Sequence, residues 1–216
     1  MSQPAPRLID RHVRALRVST ELSAYSIEKI VTPLQVIAVL NRERISFVLV
    51  GAYAVGGWTR KPRATEDVDL VVAERQIKKA TRALLAEFPQ LEARDEEVVV
   101  RLQDRASGEV LIDLIKPRSI YRAIFKHTEP ISQGGQEYRI PSLEMTLATK
   151  FAAMVSPNRP DDAKHQDATD FIRMVKENPD IDLDTLTSLG ELVYGGGGAG
   201  ACEMVRQVRA GEKLIL

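Results

Sequence analysis

An α+β fold is predicted for this chain of 216 residues: a mixed sheet with flanking helices, followed by a helical C-terminal part. Three observations predict it. Short β-rich runs and helix-periodic runs interleave up to about residue 116, the pattern turns mostly helical from Pro141 onward, and the boundary between the two falls near Pro141. The expected division is therefore 1–140, a mixed core with N-terminal helices, and 141–216, a helical part.

The first elements are helical. Arg7, Arg11, Arg14 and Arg17 recur at three- or four-residue spacing, which lines them up on one side of a helix, either as a local basic patch or as a solvated face. In SIEKIVTPLQVIAVLNRER the apolar residues Ile27, Ile30, Val31, Leu34, Ile37, Ala38 and Val39 keep helical periodicity, and Pro33 begins or kinks that helix. ISFVLVG is short, β-rich and ended by Gly51, so it reads as a strand with a turn after it. AYAVGGW reads as a short helix frayed by Gly56 and Gly57, TRKPRATE as a polar loop, and DVDLVV as a second strand.

ERQIKKATRALLAEF is amphipathic, with Ile77, Ala80, Leu84 and Phe88 along one side. EVVVRLQ and EVLIDLIK, separated by the turn-like DRASG, predict a strand pair. SLEMTLATKFAAMV, DDAKHQDATDFIRMVKE and a segment around ACEMVRQVRAG are the C-terminal helices. The glycine run Gly195–Gly198 lacks the preceding strand and terminal GK[ST] of a phosphate loop, and is expected to be a flexible link without chemistry.

Composition sets limits on function. The 30 Lys+Arg balance 30 Asp+Glu, which excludes the global basic field of a dedicated nucleic-acid coat. A single cysteine, Cys202, excludes an intrachain disulfide and a Cys/His zinc pattern, and suits a reducing compartment. MSQPAPRLIDRH lacks the apolar core of a signal peptide and no run is long enough to span a bilayer, so a cytoplasmic protein without membrane contact is expected. His12, His127 and His165 show no ligand spacing.

The chemistry concentrates between residues 47 and 113. Asp67 and Asp69 are i and i+2, so on a strand they project to one face while Val68 and Leu70 point to the other. Two adjacent carboxylates repel, and remain a pair of anions chiefly when a cation binds; Mg2+ suits such oxygen ligands. The alternative is a strand end whose aspartates are solvated or paired with Arg60 or Arg63. Asp113, in VLIDLI, has apolar neighbours on both sides, where a charge is costly unless paired or metal-bound. It either completes a two-metal site, serves as general base, or is satisfied by an arginine. Gly51 ends a strand and opens a helix-like segment, so the amides of Gly51, Ala52 and Tyr53 could face an anion; otherwise it is a tight turn.

These residues resemble the nucleotidyltransferase superfamily with the polymerase-β-like fold, in which a strand, a Gly followed by Gly or Ser, and a short helix precede two acidic residues on the next strand and a third on a later one. Here those positions are Val50-Gly51-Ala52, Asp67-Val68-Asp69 and Asp113. GAYAVGGWTRKPRATEDVDLVV is more closely similar to the AbiEii-like nucleotidyltransferases, including toxins of type IV toxin–antitoxin systems, with Arg63, Thr65, Asp67, Asp69 and Leu70 on the family's R-x-T-x-D-I-D-L pattern. ATKFAAM with Lys150 and KHQDATD with Lys164, Asp167 and Asp170 resemble its later K-x-x-A and K-D-x-x-D segments.

The resemblance implies a metal-dependent nucleotidyltransferase with Mg2+ at two sites, or Mn2+, held by Asp67, Asp69 and Asp113. NTP, ATP among the candidates, would be bound by Gly51, Ala52, Tyr53, Arg63, Thr65 and Lys150. It implies an acceptor that is tRNA, protein or a small molecule, and a cognate antitoxin as partner. A tRNA acceptor calls for a local basic surface, for which Arg60, Lys61, Arg63, Lys78, Lys79 and Arg82 are candidates. Ala52 departs from the family's second Gly or Ser, which removes a hydroxyl contact but leaves backbone donation intact. A nucleotide-binding or interaction module without turnover and a Mg2+-dependent hydrolase are the two other readings.

Overall fold

The computed structural model describes residues 8–24 and 31–214. Arg7, Ile27 and Ile30 of the expected helices lie outside the described residues. The chain forms two compact units, one made of Met1–Arg118 with Glu129–Ile140, the other of Ser119–Thr128 with Pro141–Leu216.

The first unit opens on α1 (Leu8–Ala24) and α2 (Pro33–Arg42). Pro33 begins α2, where its missing N–H costs nothing, and Thr32 with Gln35 closes a capping box ahead of it. Then follow β1 (Phe47–Leu49), α3 (Gly51–Thr59), β2 (Val68–Val72), α4 (Ile77–Glu87), β3 (Leu91–Asp95), β4 (Val99–Asp104) and β5 (Val110–Ile115). They build a five-stranded sheet in the order β1-β2-β5-β4-β3. The central pair β2 and β5 is parallel and the other pairings are antiparallel. Strand alternation sends Val68, Leu70, Ile112 and Leu114 into a core shared with Val36, Ile37 and Leu40 of α2 and Ile77, Ala80 and Leu84 of α4. A two-stranded sheet, β6 (Thr128–Gln133) with β7 (Gln136–Pro141), completes this part of the chain. Its turn residues Gly134 and Gly135 both have positive φ, 59° and 73°, as a tight two-residue hairpin requires.

α3 is not frayed at its glycines. It is continuous, and Gly56 and Gly57 are buried where α1 crosses: a Cβ at Gly56 would come 3.1 Å from the Ala15 methyl, and one at Gly57 would fall on the His12 ring. Glycine here buys close helix approach. His12 meets Trp58 edge to face at 4.8 Å, and burial, then the charge of Arg11, holds its imidazole down to about 3, so it is a neutral core group. On the outer side of α1, Arg17 pairs with Glu21 in solvent.

The second unit holds a 3-10 segment (Ser119–Lys126), α5 (Leu143–Val155), α6 (Asp161–Glu177), α7 (Leu183–Gly190) and α8 (Gly197–Ala210). The glycine run is not a flexible link: Gly197 and Gly198 are buried in the first turn of α8. A Cβ at Gly190 would lie 2.7 Å from both the Gly197 carbonyl oxygen and the Gly198 Cα, so only glycines let the α7 end and the α8 start touch. The Glu191 carboxylate accepts the Gly196 and Gly198 amides at 2.9 and 3.0 Å, an internal anion at the helix start. Among the described residues, no helix is long and apolar enough to cross a membrane.

Candidate active site

Register brings the acidic residues together. In the parallel β2/β5 pair, Asp69 stands directly beside Asp113, and Asp67 lies two residues earlier on the same face. One carboxylate oxygen from each of Asp67, Asp69 and Asp113 lies within 4.8 Å of the others. Thr65 Oγ1 donates to Asp67 Oδ1 at 3.0 Å, which fixes that carboxylate's orientation.

Gly51 is shaped around this group. Its φ is +63°, a conformation that other residues adopt at a cost, and a Cβ on it would fall on the Asp69 carboxylate. The Val50 amide donates to the Asp69 carbonyl at 2.9 Å, so the turn is pinned to the strand that carries the aspartates. α3 then begins at Gly51, with the buried Ala52 and Tyr53 in its first turn.

Asp113 is held in a costly electrostatic environment. Its Oδ1 is buried without a hydrogen bond, and Arg101, opposite it on β4, approaches only to 3.9 Å while also reaching Glu96 at 3.3 Å. Burial, then the charge of Asp67, pushes the carboxyl up to about 6, against the pull of Arg101. A carboxyl raised in the folded state favours folding below its ordinary range, and that contribution is lost as pH rises through about 6. Asp113→Asn should therefore stabilise the metal-free protein by about 2 kcal/mol near pH 7.5, a rise of roughly 5 °C in melting temperature. Near pH 4 the two proteins should melt together. Identical melting of both at the higher pH would show that Asp113 is not a burdened carboxylate.

A cavity of about 510 Å3 opens beside Asp67, lined by Arg63, Thr65, Glu66, Glu109 and their neighbours. Arg63 and Thr65 thus line the same cavity as Asp67. Sequence patterning does not mark Arg101, Glu96 or Glu109; for the first, an arginine in the strand before VLIDLI is the available signal. Lys78, Lys79 and Arg82 stand on α4, in the helical layer against the core face of the sheet, opposite the face from which Asp69 and Asp113 project. That corrects their expected place near the site; Lys79 is tied to Glu43, its Nζ 2.6 Å from the Glu43 carbonyl oxygen.

Lys150 belongs to the second unit. Its ammonium, on α5, donates to Asp167 Oδ1 at 2.7 Å and Asp170 Oδ2 at 2.9 Å, both on α6, and Arg159 completes the group on Asp167 at 2.9 Å. His165 is exposed on α6 with Nδ1 2.6 Å from the Asp161 carbonyl oxygen.

A family model described as nucleotidyl transferase AbiEii toxin, type IV TA system, matches residues 34–194. The chain belongs to the AbiEii family. The match spans both units and contains Gly51, Asp67, Asp69, Asp113 and Lys150, while α1 lies outside it. No curated protein matches this AbiEii chain. Among solved structures it is similar to an antigenic nucleotidyltransferase-like protein from Paracoccidioides brasiliensis, at 21% identity over 93% of this chain and 94% of that one, with a TM-score of 0.49. It is also similar to ANT(2")-Ia in complex with adenylyl-2"-tobramycin, at 13% identity over 82% and 94% of the two chains, TM-score 0.47. A third, the lincomycin-bound lincosamide antibiotic adenylyltransferase LnuA, shares 13% identity over 67% and 95%, TM-score 0.47.

Proposed function

We propose that this AbiEii-family chain moves a nucleoside monophosphate from an NTP to an acceptor hydroxyl on tRNA, protein or a small molecule, in the cytoplasm, as the toxin partner of a cognate antitoxin. The observation that carries the proposal is the meeting of Asp67, Asp69 and Asp113 beside the Gly51 turn. Three hard oxygen donors at this spacing, one from a residue whose Oδ1 is buried and unbonded, fit Mg2+ or Mn2+. Asp67 and Asp69 would hold one ion and Asp113 would share a second; ions of this kind offset phosphate charge and acidify a bound hydroxyl.

The remaining work falls to groups of the chain. The first-turn amides of α3 at Gly51, Ala52 and Tyr53 present the positive end of a helix to the β- and γ-phosphates. The absence of a hydroxyl at Ala52 leaves that backbone contribution intact. Thr65 keeps Asp67 oriented, and Arg63 offsets the charge that develops as the bond breaks. Asp113, as a ligand of the second ion, would leave the proton released by the acceptor hydroxyl to solvent. The acceptor oxygen then bonds to the α-phosphorus, the bond to the bridging oxygen breaks, and pyrophosphate leaves. The role in triphosphate binding that the resemblance gives Lys150 stays part of this proposal.

The test is a transfer assay with each α-labelled NTP, Mg2+, and total tRNA or cell lysate as acceptor, run beside Asp69→Ala. Label joined to a macromolecule by the wild-type protein and not by the variant supports transfer and names nucleotide and acceptor class. Nucleotide that is cleaved but never attached would replace transfer by hydrolysis. Nucleotide bound and left intact under every condition, small-molecule acceptors included, would reduce the chain to a binding module.

A further inference from the structure

α1 grips both halves of the site. At one place it packs on α3, the helix that starts at Gly51, through Ala15 against Gly56 and His12 against Gly57. Near its C-terminal end, the Ser23 hydroxyl accepts the Thr65 backbone amide at 3.1 Å, and Thr65 Oγ1 donates to Asp67 Oδ1 at 3.0 Å. Ser23 is 2% exposed and its own proton goes to the Ser19 carbonyl at 2.7 Å, so its lone pairs are directed by the helix and not by solvent. The loop between α3 and β2 has no regular structure over residues 61–65, and this contact fixes its backbone at the residue that orients Asp67.

We infer that Ser23 is a positioning residue for the Asp67 carboxylate, acting through Thr65, and that α1 thereby sets the Gly51 turn and the acidic trio in one frame. The inference rests on the reading of Asp67 as a cation ligand, and it concerns a helix outside the residues that the family model matches. Groups that orient a metal ligand change metal affinity when removed, commonly by tenfold or more. A hydroxyl that merely filled space would change stability alone.

The experiment compares Ser23→Ala, Ser23→Thr and Ser19→Ala in the full chain by titrating Mn2+ alone, with binding followed calorimetrically and melting temperature recorded for each. Ser19 is buried one turn earlier and its hydroxyl makes no hydrogen bond, so its truncation controls for loss of a buried oxygen on α1. Ser23→Ala is expected to weaken Mn2+ binding about tenfold. Ser23→Thr, which keeps the acceptor, should stay within about threefold of wild type, and Ser19→Ala should leave affinity unchanged. Ser23→Ala binding as tightly as wild type, or losing affinity only as much as Ser19→Ala does, would overturn the inference and leave the reading of the trio standing. A wild-type protein that binds no Mn2+ would overturn the cation site itself, and the inference with it.

Discussion

Gly51→Ala is expected to lower nucleotide transfer by about a hundredfold or more while the protein still folds. Two effects add at this residue. The left-handed backbone, φ +63°, costs a non-glycine residue about 1 kcal/mol. The larger effect is steric, because the new methyl would occupy the place of the Asp69 carboxylate, and either that side chain or the start of α3 has to move. A displacement near 1 Å of a group that positions reacting atoms costs about two orders of magnitude in rate. Folding should survive, because α3 is held by α1 along its length and by the Val50 amide on β2. Gly56→Ala is the comparison: its Cβ would come 3.1 Å from the Ala15 methyl, away from the carboxylates, so stability should change more than rate. Transfer rates and circular dichroism melts of both variants separate the effects. Gly51→Ala retaining transfer within about threefold would mean that the Asp69 carboxylate is not held where the reaction needs it.

Lys150→Met should be the most destabilising of the single changes considered, by about 3–5 kcal/mol. The side chains of Asp167 and Asp170 are only 4% and 3% exposed, and Lys150 sits between them at 2.7 and 2.9 Å. Removing the ammonium leaves two carboxylates in a low-dielectric site, with Arg159 for Asp167 and a 3.3 Å contact from Gln166 for Asp170. Breaking such a pair costs more than the pair contributes, because an uncompensated charge stays buried. At about 2–4 °C per kcal/mol, the calorimetric transition should fall by roughly 10 °C. Adding Asp170→Leu to Lys150→Met should recover part of the loss, since the second change removes one stranded charge. A shift below about 2 °C in the single variant would show that the group is solvated and carries little of the packing of α5 on α6.

The legibility of the fold follows the range of the interactions. α2, α4, α5 and α6 are announced by apolar spacing and, for α2, by Pro33. β3 leaves no periodic signal in the sequence because Glu92–Asp95 are exposed and show no alternation. The β6/β7 hairpin is marked in the sequence by the Gly134-Gly135 pair, whose positive φ its turn requires. In the sequence the glycines of α3 and α8 read as fraying and as a flexible link, because a glycine that permits close packing and one that loosens the chain look alike there.

By itself the sequence determined the local chemistry: the i, i+2 aspartates on a strand, the glycine that opens a helix, a third carboxylate among the apolar residues of VLIDLI, and the family pattern they make. Those features depend on neighbours a few residues away, where backbone geometry dictates which way side chains point. Only the tertiary structure decided that β5 pairs in parallel with β2 so that Asp113 stands beside Asp69, that Ser23 reaches Thr65, and that Lys150 is clasped by two aspartates. Such pairings join residues 17 to 44 positions apart, and they are chosen by burial of the whole core, a quantity that no local stretch of sequence contains.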